Sequence, residues 1–128
     1  MNDRSVLLGI GIDAVDIARF AAALDRRPGL AQRLFTSGEQ AYASNLVNPT
    51  PSLAARFAVK EAVMKALGVG LGAFAWTDVE VLRQPSGRPE LAVRGRAEAL
   101  AGECGVARWQ ISLTHTAATA SAIAAALR

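Results

Sequence analysis

Apolar positions recur along the chain in two periods, and the switches between them mark out the elements. Val6–Ile12 alternates, with Leu8, Ile10 and Ile12 on one face and Gly9 and Gly11 leaving the other bare. This reads as a first strand, and glycines inside a strand often let another backbone or a ligand come close. Asp13 follows, and DAVDIARFAAAL changes to helical spacing, with Ile17, Phe20, Ala21 and Leu24 on one side. Pro28-Gly29 ends that helix, and Leu30–Phe35 is a short segment. Thr36 followed by Glu39 is a capping-box pattern that starts another helix, through about Ala43. Ser44–Pro51 is a loop rich in breakers.

A long helix comes next, capped by Ser52 and closed at Gly68. Val69–Trp76 is a glycine-containing loop. Asp78–Arg83 and Glu90–Arg94 read as two strands joined by a turn around Pro85–Gly87. Ala97–Gly105 is a short helix, Trp109–Thr116 alternates as a strand, and Thr119–Leu127 fits a last strand or a helix. No repeat, linker or low-complexity tract interrupts the chain. Strands mixed with helices, some in hairpins, predict an α+β fold with a mainly antiparallel sheet.

The 128 residues suit one domain, 1–128, and a hydrophobic content of 52% is enough for a core. Aromatics are only 5%, so alanine, valine and leucine must fill it. The formal net charge of +3 favours an acidic partner, although twelve Arg against two Lys also fits a genome-wide preference. The single cysteine, Cys104, cannot form an internal disulfide, which fits a reducing compartment. MNDRSVLLGIGID has an early acid and a very short apolar run, unlike a signal peptide. The longest apolar run, Ala122 to Leu127, falls far short of the ~20 residues that span a bilayer. The expectation is a cytoplasmic protein with no membrane partner.

The chemistry concentrates in RFAVKEAVMKALGVG, Arg56 to Gly70. At about 100° per residue, Leu53, Phe57 and Met64 fall within about 40° of one another, and Lys60 and Glu61 flank that stripe. The opposite face, Val59, Ala62, Val63 and Ala66, is apolar too, so the helix is buried or lies in an interface. An ionised carboxylate in such a place costs roughly several kcal/mol without a partner. Glu61 either pairs with Lys65 at i+4 or ligates a metal or acts as a base. Asp13 either caps the first helix, with Asp16 in its first turn, or faces an open site at a strand end. Two carboxylates from separate elements, without Cys or a second His, suit Mg²⁺, which keeps waters and binds substrate phosphates.

The other candidates are weaker. His115, the only histidine, shares a face with Trp109, Ile111 and Leu113. It is either a satisfied core residue or a phosphate or proton partner. Gly68, Gly70 and Gly72 resemble a phosphate-cradling loop, but GxxxxGK[ST] is absent. GIGIDA fits GxGxxA, yet its glycines lie inside the strand and the alternating βαβ pattern is missing, so a dinucleotide site is rejected. Arg19, Arg26, Arg27 and Arg33 form either a solvated basic face or a dock for an acidic partner. Aromatics are not interleaved with them, so nucleic acid has little support.

GIGIDAVDIARF, RFAVKEAVMKALG and ISLTHT, in that order and across nearly the whole chain, resemble the holo-acyl-carrier-protein synthases. These are the small 4′-phosphopantetheinyl transferases. LFTSGE and DVEVLRQPSGRPEL fit the same family. The resemblance implies an α+β homotrimer with active sites between subunits. It implies an enzyme that moves phosphopantetheine from coenzyme A to a serine of the apo-acyl carrier protein, releasing adenosine 3′,5′-bisphosphate. Such activity supports fatty acid or polyketide synthesis. It further implies Asp13 and Glu61 as Mg²⁺ ligands, and Lys65 near the pyrophosphate. Arg56, Lys60, Gly68, His115 and Thr116 would line the coenzyme A site, some from the neighbouring subunit. Arg19 and Arg26 would receive the carrier protein, while Gly29 stands where members often carry a basic residue. Two rivals remain at this point: a non-catalytic basic binding module, and another Mg²⁺-dependent phosphate-transfer enzyme on a similar scaffold.

Overall fold

The chain is described here from a computed structural model covering residues 6–128. Part of the signal-peptide reading, and the first five residues of the domain read over 1–128, lie outside the described residues. The elements run β1 (Leu7–Asp16), α1 (Ile17–Arg26), α2 (Leu30–Leu34), α3 (Ser37–Ser44) and α4 (Thr50–Leu67). A 3₁₀ turn (Trp76–Asp78) is followed by β2 (Val79–Arg83), β3 (Pro89–Val93), α5 (Gly95–Glu103), β4 (Arg108–His115) and β5 (Thr119–Leu127). The strands form an antiparallel sheet ordered β1-β5-β4 and a separate β2-β3 hairpin, so the α+β expectation holds. Thr119–Leu127, left open between strand and helix, is the central strand.

The helix α4 lies against β1 and β5, and glycine decides how closely. A methyl group added at Gly11 would stand 1.9 Å from the Ala62 carbonyl oxygen, and one at Gly9 would stand 2.1 Å from that of Ala66. The bare face of the strand is therefore the inner one, with helix backbone in contact. Its neighbour β5 turns Ala120, Ala122, Ala124 and Ala126 to the same side, all buried. Small residues on both strands leave room for the helix. The opposite face of β1 is apolar but exposed: Ile10 is 57% and Ile12 64% accessible.

Caps explain the helix limits. The α4 helix takes Pro51 in its first turn, where no intrahelical partner for its nitrogen is lost. It ends at Gly68, whose left-handed φ of 70° lets its N–H and that of Val69 return to the Lys65 and Met64 carbonyls. Ser52 is not the cap: the helix starts two residues earlier, and the Ser52 oxygens accept from the Arg56 guanidinium instead. The first strand also runs longer than its alternation suggested. Asp13 stays in β1 opposite Ala122, and Asp16 caps α1 by accepting from the Arg19 N–H at 2.9 Å. The capping box of α3 forms as read, with Thr36 and Glu39 exchanging bonds.

One buried polar knot joins four elements. The Lys60 ammonium, fully buried, donates to Glu39 Oε1 at 2.8 Å, to the Trp76 carbonyl at 3.1 Å and to the Val79 carbonyl. Glu39 Oε2 accepts from the Val81 N–H at 3.0 Å. A carboxylate that caps α3 thus holds α4 and the edge of β2 together. Breaking such a pair by removing one partner costs roughly 3–5 kcal/mol, because the other charge stays buried.

The close approach of α4 to β1 generates the first prediction. Gly11→Ala should destabilise the domain by about 1–3 kcal/mol, roughly 4–12 °C in Tm. Gly70→Ala, where an added methyl meets nothing within 4 Å, is the control. A calorimetric Tm of Gly11→Ala equal to that of Gly70→Ala would show that the strand does not need its bare face.

Candidate functional site

The seating of α4 brings residues distant in sequence together at the middle of β1. Lys65, one turn beyond Glu61, donates from Nζ to Asp13 Oδ1 and to the Ile12 carbonyl, each at 2.9 Å. Glu61 shares a side-chain hydrogen bond with Asp13. The i+4 alternative therefore fails as a direct pair: Lys65 bonds Asp13, and its charge acts on Glu61 only at longer range. Asp13 is largely buried, its side chain 13% exposed, while the Lys65 side chain is 56% exposed.

Two carboxyl groups this close cannot both ionise without cost. Burial, then the bond to Asp13 and its charge, push the Glu61 carboxyl up to about 7, against a smaller pull downward from Lys65. The hydrogen bond to Asp13 raises the Lys65 ammonium. A pair of hard oxygen donors, one of which holds its proton to near neutrality, is a site short of positive charge. No cluster of three or more His, Cys, Asp or Glu side chains placed to hold a metal exists among the described residues. The two carboxyl oxygen donors by themselves are of the kind that an ion such as Mg²⁺ takes, since it needs few protein ligands.

Glu61 also lines a cavity of about 470 Å³ between α1 and α4. Arg19 and Arg26, seven residues apart on one side of α1, stand around it with Asp16, Phe20 and Phe57. Phe57 stacks between Phe20 and Trp76, with ring centroids 5.3 and 5.0 Å away, and stiffens that wall. Arg19, Arg26 and Glu61 thus face one opening, with Asp13 bonded to Glu61 beside it, which the sequence did not show.

A second cavity, about 240 Å³, takes Arg56, Tyr42, Arg83 and His115. Arg56 is buried, and burial lowers its pKa, with Arg83 adding in the same direction. His115 ends β4 exposed, past the partly buried Trp109, Ile111 and Leu113, so the core-histidine alternative fails. Arg56 and Glu61 are five residues apart on α4, which turns them about 140° from each other. The two cavities of one chain therefore face different ways.

The remaining expected site residues fall elsewhere. Lys60 is enclosed in its knot with Glu39, all three donors used, and lines neither cavity. Gly68 closes α4, and Thr116 Oγ1 accepts from the Ala118 and Thr119 N–H groups to shape the turn between β4 and β5. Both are exposed, so a ligand can reach them. Tyr42 and Arg83 were not singled out from the sequence. A lone tyrosine and a strand arginine carry no motif.

Residues 9–124 match the model of the 4′-phosphopantetheinyl transferase superfamily. A holo-[acyl-carrier-protein] synthase of Moorella thermoacetica is 48% identical over 118 residues, which is 92% of this chain and 92% of that protein. The holo-[acyl-carrier-protein] synthase structure from Neisseria meningitidis superposes with a TM-score of 0.86 at 28% identity, covering 95% of this chain and 99% of the other. The Bacillus anthracis holo-(acyl-carrier-protein) synthase, solved in complex with CoA (3′,5′-ADP), gives 0.80 at 28% identity over 96% and 98%.

The raised Glu61 carboxyl has a measurable sign. Between pH about 4.5 and about 7 the unfolded chain has released this proton and the folded chain retains it. Folded-state stability without metal should therefore fall as pH rises through that window. A bound divalent cation favours the ionised form, so Mg²⁺ should raise Tm at pH 7.5 and barely at pH 5. Glu61→Gln should lose both effects. Melting curves in which the variant keeps the wild-type pH slope and Mg²⁺ response would refute the shared site.

Proposed function

The chain belongs to the 4′-phosphopantetheinyl transferase superfamily, within its holo-[acyl-carrier-protein] synthases, and we propose that it works as a single domain, 1–128, through Asp13, Glu61 and Lys65. The reaction transfers 4′-phosphopantetheine from coenzyme A to apo-acyl carrier protein. The observation that carries the assignment of residues is the convergence of Asp13, Glu61 and Lys65 beside the cavity that Arg19 and Arg26 line.

Asp13 and Glu61 would hold Mg²⁺. When bound, the ion offsets negative charge on the coenzyme A pyrophosphate as the phosphoanhydride breaks. Lys65, exposed and held by Asp13, adds a second positive charge beside the pyrophosphate. The serine oxygen of the carrier protein forms a bond to the phosphorus that bears pantetheine. The bond from that phosphorus to the bridging oxygen breaks, and adenosine 3′,5′-bisphosphate leaves with the electron pair. The serine proton passes to a carboxylate. Glu61 is the first choice and Asp13 the second.

Arg56, His115, Gly68 and Thr116 would contact coenzyme A, and Lys60 supports that wall from inside the core. Because the two cavities of one chain diverge, the second would serve the carboxylates of a neighbouring copy. The exposed apolar face of β1 and β5, with Ile10, Ile12 and Ile123, supports a homotrimer. A face of this kind is usually covered by another chain. Arg19 and Arg26 would receive the acidic carrier protein, positioned by charge at the mouth of the first cavity. A cytoplasmic enzyme of fatty acid synthesis, and of polyketide synthesis by the same chemistry, agrees with the unpaired Cys104. Among the described residues no helix is long and apolar enough to cross a membrane.

Glu61→Gln should lower turnover by about 10²–10⁴-fold, the usual worth of a positioned base. Light scattering should read three chain masses for both proteins. Near-normal turnover of the variant with Mg²⁺ would remove Glu61 from the mechanism, and a monomer mass would remove the trimer. Arg19→Glu should raise KM for the carrier protein about tenfold at low salt, since one charge is reversed in a charge-steered encounter. KM for coenzyme A should hold. An unchanged carrier-protein KM would move the dock elsewhere.

A further inference from the structure

One wall of the first cavity is held by a residue that does not line it. Phe57 and Glu61 stand one helical turn apart on α4, and both line that cavity together with Phe20. Trp76, at the start of the 3₁₀ turn, touches α4 at two points. Its ring meets the Phe57 ring at 5.0 Å between centroids, tilted by 40°. Its carbonyl accepts from the Lys60 ammonium at 3.1 Å, one residue before Glu61. The aromatic row runs on from Phe57 through Phe20, 5.3 Å away, to Phe35, which lies 6.2 Å from Phe20 and edge-on at 78°.

Trp76 also lines a separate cavity of about 540 Å³, with Arg33, Leu71 and Phe74. Phe57 lines the first cavity and not this one; Trp76 lines this one and not the first. The two rings in contact therefore form the partition between the cavities. Phe20 is buried, but it holds Phe57 on one side only. Without the indole, Phe57 borders open space on the other side, and a ring without packing behind it samples other rotamers. The loop before Trp76 supplies no substitute. Leu71 is 78% exposed, and a methyl added at Gly70 or Gly72 meets nothing within 4 Å.

We propose that Trp76 is a positioning residue for the transfer. By holding Phe57 against Phe20, it fixes the wall beside Glu61 along which the carrier serine approaches. This rests on the reading that the first cavity receives the carrier protein. Trp76 acts through Phe57 on the transfer step, and the expected coenzyme A contacts at Arg56, His115, Gly68 and Thr116 lie outside the row.

The test is steady-state transfer to apo-acyl carrier protein by the wild type, Trp76→Ala, Trp76→Phe, Phe57→Leu and the double variant Trp76→Ala/Phe57→Leu. The Trp76 carbonyl is present in every one of them, so the bond from Lys60 is not altered directly. Trp76→Ala should lower kcat about tenfold, the upper worth of one aromatic pair expressed as a population ratio. KM for coenzyme A should stay within about twofold of wild type. Trp76→Phe, which keeps a ring against Phe57, should recover most of the loss. Phe57→Leu should lower kcat as well, and adding Trp76→Ala to it should cost little more, because the ring that Trp76 acts through is already gone. If Trp76→Ala does not fold, Trp76→Leu replaces it, since a leucine fills space without offering an aromatic face. Losses that add in full in the double variant would mark a purely structural residue and overturn the proposal. So would a Trp76→Phe no better than Trp76→Ala. An active wild type with an unaffected Trp76→Ala would sink this assignment alone, whereas a folded wild type without any transfer would sink the transferase reading and this assignment with it.

Discussion

The site depends on the missing side chains of Gly9 and Gly11. Without them the α4 backbone comes into contact with β1 at the Ala62 and Ala66 carbonyls. That contact fixes the height of the helix along the strand, and with it the meeting of Glu61 and Lys65 with Asp13. A single methyl at either glycine would meet helix backbone and force a shift in the contact that brings the three groups together. The same choice sends the branched residues of β1 outward, where Ile10 and Ile12 wait exposed. Core, site and the exposed apolar face of β1 thus follow from one steric condition.

The two charged positions of the α4 stripe separate into different physical roles. Lys60 meets Glu39 and two backbone carbonyls inside the core and is satisfied there. Glu61, one residue on, meets a second carboxyl group, Asp13, and its own carboxyl is pushed up to about 7. Net attraction is complete in the first case and lacking in the second. A carboxyl group shifted this way by burial and a neighbouring carboxylate is a common mark of a functional site. Lys60 and Glu39 tie α3 and α4 to the β2 edge.

Much of this was legible from residue order. The period switches placed nearly every element, the Thr36–Glu39 box started α3, and Gly68 ended α4 through a conformation that favours glycine. Asp13 and Glu61 stood out because carboxylates in apolar surroundings need a reason. The errors were local contests between neighbours. Asp13 and Asp16 both offered a cap, and pairing with β5 carried the strand on to Asp16. Ser52 looked like a cap, but the Pro-containing turn before it had already begun the helix. The partner of Lys60 could not be read at all, because Glu39 lies 21 residues back and no periodicity links them. Arg83 and Tyr42 were invisible, because only the tertiary fold brings the hairpin over α3 and α4.

The central claim is that this chain splits coenzyme A with a metal held by Asp13 and Glu61 and leaves phosphopantetheine on a carrier serine. Intact-protein mass spectrometry tests it most directly: apo-acyl carrier protein is incubated with the chain, coenzyme A and Mg²⁺. The account predicts one added phosphopantetheine, about 340 Da from its formula, abolished by EDTA because the anhydride cleavage needs the ion. A folded chain that leaves every carrier protein tried at its apo mass would contradict it, and so would full transfer in EDTA.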